Sequence, residues 1–172
     1  MATRHPVSDN AHPPESSRRD LDAIDRRILR LLQGNARATN QWLAAQVELS
    51  PTPCLERVRR LEREGYIREY QAILDPARVG YPMLIFAFVL FDRAVDGVYE
   101  KFRAAIAEIG EIVECHMITG DVDFLMKIRV ADIGAFRVLL EERILKLPGV
   151  RITHSYVTME EVKTGVSTPV AD

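Results

Sequence analysis

The residues best suited to chemistry fall in two short stretches. The first is Ser50-Pro51-Thr52-Pro53-Cys54-Leu55-Glu56-Arg57-Val58-Arg59-Arg60-Leu61-Glu62-Arg63. It reads as one helix, running to Glu64, with Ser50 as N-cap and Pro51 at the first helical position. On a wheel of that helix Cys54, Leu55, Val58 and Leu61 share one arc, and Thr52, Pro53, Arg57, Arg59, Arg60 and Arg63 occupy the opposite one. Arginine bridges phosphates and grips guanine edges with two parallel hydrogen bonds, so such a face suits nucleic acid. Small residues at the helix start (Ser50, Thr52, Pro53) let the backbone approach a groove, and free amides of the first turn favour a phosphate. The same arginines, among Glu56, Glu62 and Glu64, would also make a solvated salt-bridged surface. The setting decides for DNA: a third helix after a short turn is the helix-turn-helix arrangement.

The second stretch is Gly120-Asp121-Val122-Asp123. By itself it is ordinary hairpin-turn chemistry. Catalytic and metal readings find little. His116 and His154 each sit on an expected strand, and no nucleophile, base and orienting group converge in sequence. Cys54 and Cys115 lie far apart without ligand spacing and read as structural thiols of a reducing compartment. We expect no enzyme and no metal.

These stretches need elements to position them. The chain has 172 residues, 47% hydrophobic and 28% charged, an ordinary globular composition. No apolar run approaches the roughly 20 residues of a membrane span, and the N-terminus lacks a signal-peptide core, so a cytoplasmic location is expected. Net charge is −2, which alone argues against a nucleic-acid binder. Residues 21–80, however, carry ten Lys/Arg against eight Asp/Glu, while residues 81–172 carry ten against fourteen. Residues 1–20 hold Pro6, Pro13 and Pro14 with one large aliphatic residue, Val7, and read as a disordered tail. Arg18 and Arg19 there would add at most weak phosphate contacts.

A first helix is expected from Asp22, with Asp25 three residues on, through Ile24, Ile28, Leu31 and Leu32 to Gly34-Asn35. A second starts near Thr39 or Asn40 and carries Leu43, Ala44 and Val47, and Glu48-Leu49 connects it to the arginine-rich third. Gly65 stops that helix, and residues 66–74 read as a small β-wing or a linker. This gives a reading domain over 21–80. Residues 81–163 then read strand (Met83 to Phe91), helix (Asp96 to Ile109), strand (Ile112 to Thr119), strand (Val122 to Val130), helix (Asp132 to Leu147), strand (Val150 to Glu160), with a tail at 164–172. The fold class is therefore α+β, a three-helix (winged) helix-turn-helix followed by a βαββαβ ferredoxin-like domain. The first strand is apolar at odd and even positions alike, whereas a strand with one wet face should alternate. Its second face calls for a cover, most simply another copy, so a homodimer is expected.

The third-helix sequence resembles the recognition helix of the leucine-responsive/asparagine-type (Lrp/AsnC) family of transcriptional regulators. The resemblance runs from Leu21 to Lys163 and includes Asp22-x-x-Asp25, Gly65-Tyr66-Ile67, Gly120-Asp121-Val122-Asp123, Leu147-Pro148-Gly149-Val150 and Tyr156-Val157-Thr158-Met159-Glu160-Glu161-Val162-Lys163. It implies double-stranded DNA as partner, contacted by Ser50, Thr52, Pro53, Arg57 and Arg60, with Arg59 and Arg63. It also implies an amino-acid effector, leucine or a relative, bound between subunits near Gly120, Asp121 and Asp123, with Met117, Thr119, Tyr156, Val157 and Thr158 as flanking candidates. Rings of dimers, commonly octamers, and association with the nucleoid follow from the same resemblance. Val122 stands where the family commonly has an aromatic residue, which alters the pocket's shape. The turn's chemistry suits such a ligand: Asp121 or Asp123 can pair an ammonium, and amides around Gly120 can hold a carboxylate. The alternative function is a DNA-architectural protein with little effector response.

Overall fold

The computed structural model describes residues 20–92, 97–165 and 168–171. They divide into two compact units, one comprising Leu74–Val162, the other joining the residues up to Ile73 with those from Lys163 onward. Each unit has its own core.

The first unit is three helices, α1 (Ala23–Gly34), α2 (Asn40–Gln46) and α3 (Pro51–Arg63). The start of α1 is a capping box: the Asp22 carboxylate accepts from the Asp25 amide and the Asp25 carboxylate accepts from the Asp22 amide. Thr39 caps α2 through its hydroxyl. Ser50 occupies the cap position of α3 but makes no side-chain cap bond. Glu48 takes a left-handed conformation (φ 57°) between α2 and α3, and the Leu49 amide donates back to Ala44. Ile28, Leu32, Leu43, Ala44, Cys54 and Leu61 close the core. Beyond α3, Gly65 turns the chain at φ 76° and Ile67 donates to the Leu61 carbonyl. Residues 66–82 form no strand, so the stretch after α3 is a loop packed on the core through Tyr66 and Ile67. Residues 74–80, grouped with the helices by sequence, pack instead with the second unit, where Leu74, Pro76 and Val79 lie against Val113 and Lys127.

That second unit carries β1 (Met83–Phe91), α4 (Val98–Ala107), β2 (Ile112–Met117), β3 (Phe124–Val130), α5 (Ile133–Glu142), a 3-10 turn (Ile144–Lys146) and β4 (Val150–Val157). The sheet order is β2-β3-β1-β4, antiparallel throughout. Ile85, Ala87, Val89, Phe91, Phe124, Met126, Ile128 and Val130 point to one face and pack on Val98, Phe102, Phe136 and Leu139 of the helices. The opposite face presents Phe86, Phe88 and Leu90, all half-buried, with exposed Ile152 and Tyr156.

Several ends fall short of expectation for local reasons. The helix expected to reach Leu147 stops at Glu142, because Leu147 precedes Pro148 and is extended (φ −63°, ψ 140°). The strand expected to reach Glu160 stops at Val157, opposite Ile85; Thr158 adds one bond to Leu84, and upstream Pro82 has no N–H to continue the ladder. Strands expected to run to Thr119 and from Val122 stop at Met117 and start at Phe124, closed by Ile118 donating to Asp123. The expected helix start at Asp96 lies outside the described residues.

Gly149 makes the turn into β4 at φ 79°, and a Cβ there would sit 2.5 Å from Val98 and 2.6 Å from the Phe91 ring. Both neighbours are buried core residues. Gly149→Ala combines a positive-φ penalty with overpacking, and should cost about 2–4 kcal/mol in urea unfolding. An unchanged midpoint would contradict this packing.

Candidate nucleic-acid interface and ligand site

The arginine-rich helix is held by a carboxylate. Asp25 is fully buried. One of its oxygens takes Nη1 of Arg57 at 2.8 Å, and the other pairs with Nη2 of Arg60 and accepts from the Asp22 amide at 3.2 Å. Asp22 pairs with the same Arg57 nitrogen at 2.6 Å. A buried carboxylate without partners costs several kcal/mol, so two guanidiniums and an amide are what make this position tenable. Desolvation pushes the Asp22 carboxyl up, but the Asp25 amide and the Arg57 guanidinium outweigh it and hold the group below its usual range. The Arg57 proton is bound more firmly than usual by hydrogen bonds to Asp22 and Asp25.

This corrects the helical wheel. Arg57 and Arg60 were placed on the solvent arc, yet their side chains are only 28% and 19% exposed and reach back to α1. A long side chain at the border of an arc follows the nearest desolvated charge. Asp25 is the residue that sequence reasoning passed over as a simple cap partner. Its spacing to Ile28, Leu29 and Leu32 puts it on the buried stripe, the signal that a cationic partner had to arrive from elsewhere. Asn40 was also missed: its Nδ2 donates to the Pro51 carbonyl at 2.7 Å, pinning the start of α2 to the start of α3.

What remains outward on α3 is Ser50, Thr52, Arg59 and Arg63, all exposed, with Pro53 half-buried. The first turn offers fewer free amides than expected. Pro51 and Pro53 have no N–H, and Cys54 donates to Ser50, which leaves the Thr52 amide.

In the second unit the ligand candidates form two groups. Thr119, Gly120 and Asp121 lie exposed in the 118–123 turn beside exposed Met117, with Gly120 at φ 129°. Asp123 is half-buried and occupied: its carboxylate accepts from the Phe91 amide at 2.8 Å, and its own amide donates to Val89. It staples the turn to the end of β1, so of the two aspartates Asp121 is the one standing in solvent. Tyr156, Val157 and Thr158 lie elsewhere. Tyr156 is opposite Phe86 and edge-on to the Phe88 ring at 5.5 Å, whereas the turn begins beyond the Val89–Phe124 pair. Three strand residues separate the groups by about 10 Å lengthwise, and they flank β1 from opposite sides, about another 10 Å. One chain therefore does not bring them together. Val157 and Thr158 instead line a cavity of about 380 Å³ with Leu84, Asp132, Glu160 and Glu161. Glu161 is committed there to a two-pronged pair with Arg129 at 2.7 and 2.8 Å.

Reactive chemistry is poorly served. Burial pushes the Cys115 thiol up to about 11 and raises Cys54 as well. His116 pairs with Glu114. Among the described residues no group of three His, Cys, Asp or Glu is placed to hold a metal ion.

Acid should loosen both units. Asp22, Glu114 and Glu161 all have folded pKa values below their ordinary 3.8, 4.5 and 4.5: Asp22 against the pull of desolvation, Glu114 chiefly through Lys127, and Glu161 chiefly through Arg129. Depressed carboxylates contribute stability above the unfolded pKa and lose it as pH falls through the folded one. Unfolding midpoints should thus stay level from about pH 8 to 5 and fall below about 4.5. A midpoint that rises on acidification would contradict these pairs.

Two family models match the chain. Residues 21–68 match "Winged helix-turn-helix DNA-binding" and residues 85–168 match "Lrp/AsnC ligand binding domain". The chain is 51% identical over 145 residues to the leucine-responsive regulatory protein of Salmonella typhimurium, covering 84% of this chain and 88% of that one. It is 50% identical over the same length to its Escherichia coli K12 counterpart, with the same coverage. Among solved structures it is similar to a transcriptional regulator of Neisseria meningitidis in complex with L-Met, at TM-score 0.84 and 35% identity, covering 87% of this chain and 97% of that one. It is also similar to an AsnC family regulator of Agrobacterium tumefaciens, at TM-score 0.82 and 33% identity with the same coverage. A DNA-binding helix-turn-helix held by a buried carboxylate, followed by the family's ligand-binding sheet, places the chain in the Lrp/AsnC family of transcriptional regulators.

Proposed function

We propose that this regulator reads DNA through Ser50, Thr52, Arg59 and Arg63 of α3, and that an amino acid, leucine or a close relative, adjusts its assembly and DNA affinity. The observation that carries the reading is the outward pair Arg59 and Arg63 on a helix whose other two arginines are anchored to Asp25. Arg57 and Arg60 then act as positioning residues that set how α3 enters the major groove. Arg59 and Arg63 supply phosphate or guanine contacts. Such a protein works on DNA in the cytoplasm.

Assembly supplies the rest. Phe86, Phe88 and Leu90 on the second face of the sheet, with exposed Ile152 and Tyr156 beside them, suit a second copy packed face to face. A dimer presents two recognition helices to half-sites about one helical turn of DNA apart, or a multiple of it. Larger rings of dimers are the further form this reading expects. The effector site is assembled from more than one subunit, because Gly120 and Asp121 stand apart from Tyr156, Val157 and Thr158 within one chain. Asp121 pairs the ammonium and the amides around Gly120 hold the carboxylate. The ligand changes DNA binding only so far as it binds one assembly better than another. The Salmonella relative is named for its response to leucine and the Neisseria one was solved with L-Met, so both amino acids are the ones to try.

The test is a gel-shift titration at fixed salt, with light scattering, on DNA upstream of the protein's own gene, with and without leucine or methionine. Arg59→Ala and Arg63→Ala should each weaken binding about tenfold and flatten the salt dependence, while the unfolding midpoint stays within about 0.5 kcal/mol of the parent. Affinity and assembly mass should move together with one of the two amino acids. Full affinity in both arginine variants would overturn the assignment on α3, and indifference to every amino acid would overturn the effector.

A further inference from the structure

The C-terminal tail belongs to the reading unit. Residues from Lys163 onward cluster with the three helices, not with the sheet they follow. The contact is specific. Arg30 Nη2 donates to the Val170 carbonyl at 3.1 Å, Gln33 Nε2 donates to the Thr168 carbonyl at 2.7 Å, and the Val170 side chain packs against the helical core. The geometry is matched on both sides. Side chains three apart on a helix stand about 5–6 Å from one another. Carbonyls two residues apart in an extended chain face the same way at about 6.5 Å. Pro169 favours that extension, since it disfavours helical geometry at Thr168 and fixes its own φ. The tail runs antiparallel to α1, Arg30 taking the later carbonyl and Gln33 the earlier one.

We propose that residues 168–171 are a strap that clasps α1 and gives the ligand-binding domain a second hold on the DNA-reading helices. The chain leaves the reading unit after Ile73 and re-enters it at Lys163, so the helices are tethered at both ends of the sheet domain's sequence. The first tether follows α3. The second begins where β4 ends, at Val157, and finishes on α1, the helix that carries Asp25. Movement at the end of β4 is thereby passed to the helix that fixes α3. This last step rests on the effector reading above, whereas the docking of the strap does not. The face formed by Arg30 and Gln33 recognises backbone carbonyls and one small apolar side chain, and the chain's own terminus fits it.

The experiment compares the full chain with a form ending at Gly165 and with an Arg30→Ala/Gln33→Ala double variant, by hydrogen exchange without DNA or amino acid. Two lost hydrogen bonds and one lost apolar contact predict that α1 exchange quickens by about fivefold or more in both variants, and that the tail amides of the double variant lose protection. Assembly mass should not change, because the strap serves its own chain; a fall in mass in either variant would overturn that and make the tail an assembly contact. Unchanged exchange in α1 and the tail would overturn the docking. If the full chain responds to leucine or methionine in DNA binding, the shortened chain should respond less. An equal response would remove the coupling while exchange still reports on the docking, and a full chain without any response indicts the effector reading instead.

Discussion

A single buried carboxylate organises the reading half of this protein. Asp25 lies on the apolar stripe of α1 with no exposure to solvent, and a charge there is tenable only if cations come to it. They come from α3. Arg57 and Arg60 cross to α1, Asp22 shares Arg57, and the capping box that starts α1 is thereby joined to the helix that faces DNA. Cys54 and Leu61 bury α3 without fixing its rotation closely, because apolar contact is not directional. Two hydrogen-bonded ion pairs are directional, and they choose which arginines are left to face outward.

The sheet domain is organised by a different constraint. Its β1 has apolar residues on both faces, and helices cover only one. The covered face holds a cluster of rings, Phe91, Phe102 and Phe124, around which α4 and the turn at Gly149 close without spare volume. On the other face, apolar side chains are left half-buried, which is the physical basis for reading it as an interface. Asp123 shows how an acidic residue in a ligand-like motif can be wholly structural: it satisfies the Phe91 amide where the β1 ladder ends.

Much of this was legible in the residues. The span of β1, the caps Asp22 and Thr39, the Pro51 start of α3 and the Gly65 stop follow from hydrophobic period and cap chemistry, which are local. The family followed from motifs at fixed spacing. What could not be read locally is which way a long side chain turns. Arg57 and Arg60 sit more than thirty positions from Asp25 in sequence, and a wheel of α3 carries no knowledge of α1. The separation of Tyr156 from Gly120 likewise depends on strand order and register, since β4 lies across β1 from β3. The tail's return to α1 had no periodicity to announce it, only Pro169 and a valine.

The most direct measurement is a double-mutant cycle between Asp25→Asn and Arg60→Met, read by urea unfolding and by DNA affinity at fixed salt. If the buried carboxylate sets α3, each single variant loses about 3–5 kcal/mol of stability by leaving a partner charge or dipole uncompensated, and DNA affinity falls although Arg59 and Arg63 are intact. The double variant then loses well under the sum, with an interaction energy of about 2–3 kcal/mol. Additive losses, or an Asp25→Asn variant as stable and as tightly bound to DNA as the parent, would contradict the account.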